Sequence, residues 1–156
     1  MERVETGQAS LDDLLELGGT RSMARKAFLW MSFVGDTIAF KAGQDLLGIA
    51  FFVPDRAGDI ELCMTFRPKA RVFMLPIIHV AHLTLDAIAE TGATVFCHVM
   101  AGNRSGERLA KMTGFAPILE TRWERQPHVR TYEGDLRRQL GSQGGAGSQA
   151  DTGRGQ

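Results

Sequence analysis

Along the chain the apolar positions change their period several times, and each change marks an element. The run "LDDLLEL" (11–17) follows Ser10, a good helix N-cap with Asp13 three residues on and acids in the first turn, and Gly18–Gly19 stops it. A second helix, opened by Thr20, is predicted over "RSMARKAFLWMSF" to about Phe33, with Met23, Ala27, Leu29 and Trp30 as its apolar side. Three strand-like runs follow, "TIAFKA" (37–42), "LLGIAFFV" (46–53) and "DIELCMTF" (59–66). They are joined by "GQD" and "PDRAG", which is turn chemistry and predicts an antiparallel meander. A long helix then runs from Pro76, a residue suited to the first helical position, to Glu90, and Gly92 ends it. "ATVFCHVM" (93–100) reads as a buried strand and "RSGERLAKM" (104–112) as a short helix. "APILETRW" (116–123) and "VRTYEG" (129–134) read as a final hairpin pair. Whether a strand precedes the first helix is left open by the pattern.

This order is a meander running into a β-α-β crossover, hence an α+β fold with one central mixed sheet and helices on both faces. From Gly141 onward, "GSQGGAGSQADTGRGQ" carries too little apolar surface to offset its ordering entropy. The expected organisation is therefore one domain over residues 1–140 and a disordered tail over 141–156.

Charge and composition then narrow the classes of function. Eighteen basic and eighteen acidic residues cancel, so no net field points to nucleic acid or to an anionic membrane as a partner. The longest uninterrupted apolar stretch has eight residues, against the roughly 18–20 of a bilayer span, and the acidic start does not read as a signal peptide. Cys63 and Cys97 lie in strand-like runs and read as buried, reduced thiols, in keeping with a cytoplasmic location.

The stretch "VMAGNRSGERLAKMTGF" (99–115) carries the most specific spacing: Asn103 after a strand, Gly106 three residues on, Ala110 seven on, and Gly114–Phe115 eleven and twelve on. This arrangement, in this element order, resembles the GNAT superfamily of acyl-CoA-dependent N-acetyltransferases over about residues 20–135. The family commonly has a tyrosine where this chain has Ala110. It also carries Arg/Gln-x-x-Gly-x-Gly/Ala at the end of its fourth strand, where backbone amides and a helix N-terminus hold the CoA pyrophosphate. Here "FRPKARVFMLP" (66–76) supplies Pro68 and Arg71, but Met74 and Pro76 fill the glycine slots; a frame starting at Arg67 puts Ala70 and Val72 there instead. Within that superfamily the pattern looks closest to the short acetyltransferase-like proteins of tailed phages, for which a virion-associated location would also follow.

The resemblance implies acetyl-CoA as co-substrate and an amine of a small molecule or protein as acceptor. Amides around Thr65 and Phe66 would hold pantetheine, and the turn through Arg71, Val72 and Met74 the pyrophosphate. Asn103, Arg104 and Ser105, opening the short helix, would contact the cofactor, although Asn103 is also an ordinary N-cap. Glu61 is the candidate base, sharing a strand face with Cys63 and Thr65. With Ala110 in the tyrosine slot, Ser105 or a water would have to act as the acid; Tyr132 does not fit the slot. The alternative is a GNAT-fold protein that has lost catalysis and binds a protein partner or forms a homodimer.

The remaining candidates have plainer readings. Cys63 has no activating base beside it in sequence and does not read as a nucleophile. His79, His82 and Asp86, at i, i+3 and i+7, lack further ligands at familiar spacing, so packed or interfacial histidines are expected rather than a metal site. His98 is read either as a core histidine or as lining the cleft where two strands separate. Arginines 122, 125, 130, 137 and 138 alternate with acids and are expected to be solvated.

Overall fold

The computed structural model describes residues 3–126. Strand β1 (Val4–Gly7) precedes helices α1 (Leu11–Gly18) and α2 (Ser22–Val34). The meander comprises β2 (Asp36–Ala42), β3 (Asp45–Pro54) and β4 (Ile60–Phe66). A 3₁₀ segment, Pro68–Phe73, leads into α3 (Met74–Glu90), followed by β5 (Val95–His98), α4 (Arg104–Met112), β6 (Phe115–Leu119) and β7 (Arg122–Arg125). The seven strands form one mixed sheet in the order β1-β2-β3-β4-β5-β7-β6, in which β4 and β5 are parallel. This is the expected α+β architecture, with a strand ahead of the first helix.

The two faces of the sheet carry different helices. On one, Phe40, Leu47, Phe52, Leu62, Val95 and Trp123 pack with Ile77 and Leu85 of α3 and Ala110 of α4. On the other, Ala39, Ile49, Phe51 and Val53 pack with Leu14 of α1 and Phe28 and Met31 of α2. Strand alternation along β4 divides its side chains accordingly, Leu62, Met64 and Phe66 to the α3 face and Cys63 to the α1–α2 face.

Four sequence expectations need correction. Helix α2 is capped by Arg21, not Thr20, and has no side-chain cap bond, because Arg21 is the last extended residue before the first helical turn. Helix α3 begins at Met74, so Pro76 is its third residue; its missing N–H falls among the four that have no intrahelical partner anyway. The stretch "APILETRW" is not one strand: Glu120, with φ of 48°, turns the chain and β7 pairs back onto β6 within it. Its expected partner "VRTYEG", together with Tyr132, Arg130, Arg137, Arg138 and the 141–156 tail, lies outside the described residues. Fourth, the run Pro68–Glu90 is long and apolar enough to cross a membrane, which the eight-residue stretch did not suggest. Ile77 and Leu85 within it pack on the sheet, while Leu75 and Leu83 are exposed.

Helix α1 shows the closest agreement between pattern and structure. Ser10 Oγ accepts from the Asp13 N–H at 3.1 Å, and Asp13 Oδ2 accepts from the Ser10 N–H at 2.9 Å, a complete capping box. The other oxygen of Asp13 meets Lys41 Nζ of β2 at 2.9 Å, tying the helix to the sheet. Burial alone would push the Asp13 carboxyl up; Lys41 and the Ser10 backbone and hydroxyl outweigh it and hold the group below its ordinary 3.8. A carboxylate with a depressed folded-state value contributes stability above its unfolded value, and that contribution is lost as pH falls through the folded value. Asp13→Ala is therefore expected to cost about 1–3 kcal/mol at neutral pH, the sum of a cap and a buried charge-assisted bond. Urea melts should show the deficit shrinking below about pH 4, near the ordinary carboxyl range; an equal deficit at pH 3 and pH 7 would contradict the assignment.

Candidate active site

The β4–β5 ladder contains two pairs, Ile60↔Val95 and Glu61↔Phe96, and the strands then separate. Each strand is held by its other neighbour. Strand β4 pairs with β3 over its full length, and β5 pairs with β7 through Phe96↔Glu124, Cys97↔Trp123 and His98↔Arg122. The gap is a cavity of about 310 Å³ whose walls include Glu61, Cys63, Cys97, His98, Asn103 and Ala110. It passes from one face of the sheet to the other, since Glu61, Cys63 and His98 lie on the α1–α2 side and Cys97 packs in the α3 core.

A larger cavity of about 850 Å³ lies between the 3₁₀–α3 junction and α4, lined by Phe66, Arg71, Met74, Leu75, Ser105 and Arg108 among others. Asn103, Gly106 and Leu109 line both spaces, so α4 is a wall common to the two. Asn103 Oδ1 accepts from the Gly106 N–H at 3.0 Å, which makes it an N-cap as well as a wall of the site. A Cβ at position 106 would come within 2.6 Å of the Asn103 amide, which explains the small residue in that slot. Gly48 on β3 serves in the same way, since a Cβ there would lie 2.3 Å from the Phe66 ring.

The expected site residues divide into two groups. Glu61 lines the gap, while Phe66, Arg71, Met74 and Ser105 line the larger cavity and Asn103 lines both. Thr65, Val72 and Arg104 line neither. The amide of Ile60 reaches across to Thr94 O at 2.9 Å, so by alternation the amides of Met64 and Phe66 also point toward β5, into the gap. Thr65 is turned the other way, toward its β3 partner Ile49. Val72 is 74% exposed on the outside of the 3₁₀ segment, and Arg104 projects into solvent from the first position of α4. The expected pyrophosphate turn at 71–76 is helical throughout, since without glycine the chain continues from the 3₁₀ segment into α3.

Sequence reasoning missed Arg108, one helical turn beyond Arg104 and on the cavity side. Arg71 and Arg108 face the larger cavity, and among the described residues neither pairs with an acid. Arg67, also on its wall, is bound to Glu16 at 2.8 Å. The expectation of solvated arginines on the last strand is overturned too. The Arg122 guanidinium lies 3.9 Å above the Phe96 ring and bonds to Glu124 at 3.0 Å. Arg125, with its side chain 5% exposed, donates to Asp86 at 2.9 Å, to His82 Nδ1 at 3.2 Å and to the Thr113 carbonyl at 3.2 Å. Because arginine only donates, His82 Nδ1 accepts, and His82 Nε2–H donates to the Met112 carbonyl at 2.8 Å. His82 is thus a packed histidine with both ring nitrogens engaged, whereas His79 is exposed.

Neither cysteine is disulfide-bonded. Burial pushes both thiols up to about 11, reinforced for Cys63 by the neighbouring Glu61 carboxylate and for Cys97 by Cys63 and Glu61. Cys63 Sγ donates weakly to Glu61 Oε1 at 3.8 Å. Neither thiol is a nucleophile at neutral pH. Iodoacetamide at pH 8 should therefore label both at least about tenfold more slowly than a free cysteine. Labelling should accelerate as pH rises toward 11; labelling at the free-thiol rate at pH 8 would contradict this environment.

No family model matches the chain, and no curated protein matches it in sequence. Solved structures do match. A Bacillus subtilis acetyltransferase in complex with CoA is 14% identical with a TM-score of 0.60, covering 81% of this chain and 99% of its own. A mutant of the spermidine N-acetyltransferase SpeG from Vibrio cholerae is 12% identical at 0.60, covering 84% and 98%. An acetyltransferase described as GNAT-family, from Desulfovibrio desulfuricans, is 13% identical at 0.58, covering 78% and 95%. None of these three is a phage protein, and they lend no support to the resemblance to phage proteins. At these identities the likeness concerns architecture, and there it is consistent: the chain has the fold of the GNAT acetyltransferases.

Proposed function

We propose that this protein is an acyl-CoA-dependent N-acetyltransferase acting in the cytoplasm on an amine of a small molecule or protein. The observation that carries the reading is the wall that α4 gives to two cavities. Asn103, Gly106 and Leu109 line both the larger cavity, whose Arg71 and Arg108 meet no acid among the described residues, and the gap through the sheet, which Glu61 also lines. CoA suits this donor set: Arg71 and Arg108 for phosphates, the Met64 and Phe66 amides for the amides of pantetheine, and Met74, Leu75 and Ile78 as apolar wall. Bound acetyl-CoA supplies an activated acyl thioester. Glu61, which meets the Cys63 thiol and no cation among the described residues, holds the acceptor ammonium and takes its proton directly or through a water. Spermidine, named for the Vibrio neighbour, is one acceptor to try.

A second reading has one observation in its favour. Ala110 is buried in the wall of the gap and offers no proton donor where the family commonly has a tyrosine. A GNAT-fold protein that has lost catalysis, with a protein partner or a second copy and a phage ancestry, would release no thiol whether or not it binds the cofactor.

Calorimetry and a thiol-release assay separate the two. Acetyl-CoA is expected to bind at micromolar concentration, pantetheine more weakly, and Arg71→Ala or Arg108→Ala should each raise Kd about tenfold, the size of one charge-assisted bond. With spermidine, butylamine or a lysine peptide as acceptor, Glu61→Gln should lower turnover at least about tenfold. Binding without thiol release, or absence of binding at millimolar acetyl-CoA, would contradict the acetyltransferase reading and favour the second.

A further inference from the structure

The acetyltransfer proposed above needs a proton at the leaving sulfur, and the side chains around the gap narrow its source. The titratable groups lining it are Glu61, Cys63, Cys97 and His98. Thr113 also lines it, but its hydroxyl donates to the carbonyls of Leu109 and Ala110, at 2.9 Å and 3.1 Å. Ser105 lines the larger cavity and not the gap. Both cysteine thiols hold their protons tightly, for the reasons given above.

His98 is placed differently. Beyond the last ladder pair, Glu61↔Phe96, alternation makes Cys63 of β4 and His98 of β5 the next side chains on that face, one on each side of the opening. The ring is fixed on two sides. Nδ1 lies 3.0 Å from Thr121 Oγ1, and the edge of the ring packs against Phe96 with centroids 5.7 Å apart. Thr121 is itself held, its carbonyl accepting from the Val99 N–H at 2.8 Å. Nε2 has no protein partner among the described residues. Glu61 and Cys63 face the ring from β4, and Arg122, already engaged by Glu124 and Asp59, from β7.

We infer that His98 is a catalytic residue of this site, carrying a proton from the acceptor nitrogen to the departing sulfur while Thr121 orients its ring. The inference rests on the acetyltransferase reading. The amine, neutral after losing one proton to Glu61, forms a C–N bond with the thioester carbon and then bears one proton more than an amide holds. His98 Nε2 takes that proton and returns it to sulfur as the C–S bond breaks with its electron pair on sulfur. One C–N bond forms, one C–S bond breaks, and the imidazole ends neutral, as it began. Imidazole is the side chain that both accepts and donates near neutral pH.

Two measurements on the full chain test this. In the thiol-release assay, His98→Gln should lower kcat at least about tenfold while the acetyl-CoA KM stays within about twofold, the pattern of a group acting in the reaction and not in binding. In long-range proton–nitrogen spectra, with the His98 signal assigned by its loss in His98→Gln, CoA should shift the His98 ring nitrogens and desulfo-CoA should shift them less. Wild-type turnover matched by His98→Gln, or an unmoved His98 signal at saturating CoA, would overturn this inference alone. No thiol release by the wild-type protein with any of the amines would overturn it together with the acetyltransferase reading.

Discussion

The separation of β4 from β5 is the constraint on which the rest of the structure depends. Strand β5 runs two residues further, to His98, yet its pairing with β4 stops after Glu61↔Phe96. Past that point β4 follows β3 and β5 follows β7, so the sheet behaves as two halves hinged at two residue pairs. The cost is a set of strand-edge amides left without ladder partners. Those amides, at Met64 and Phe66, are the polar groups that the proposed function assigns to a pantetheine arm.

Helix α4 keeps that gap in register with the larger cavity, and both of its ends are secured. At the N-terminus Asn103 caps the Gly106 amide. At the C-terminus the Met112 carbonyl accepts from His82, and the Thr113 carbonyl from Arg125. Asp86 balances the buried guanidinium, so α3, α4 and β7 meet in one charge-paired network behind the site. Its members are far apart in sequence, and their pairing holds the wall that both cavities share.

Much of this could be read from the chain, for local reasons. Ser10 with Asp13, the turn residues of the meander and the Asn103–Met112 helix are specified within a few residues, and each appears at or near its expected place. The misses share a different cause. The β6–β7 turn at Glu120 contains no glycine, proline or asparagine, so nothing local announces it. Thr65 is the natural choice for an amide donor, but which amides face the gap is decided by which ladder each residue joins. Arg108 and Arg125 look alike in sequence; one faces a cavity and meets no acid among the described residues, and the other is buried against Asp86, a difference that only tertiary packing creates. For His98 the sequence left two readings, a core histidine or one lining the cleft between separating strands, and tertiary structure places it in the wall of the gap.

The most direct test of the central claim is amide hydrogen exchange with and without CoA. The account predicts that CoA slows exchange at the amides of Met64 and Phe66, along the 3₁₀ segment and over the first turns of α4, with little change in β2 or in β3. Bound CoA that leaves those amides unprotected, or protects the α1–α2 face instead, would contradict the assignment of the β4–β5 gap as the cofactor channel.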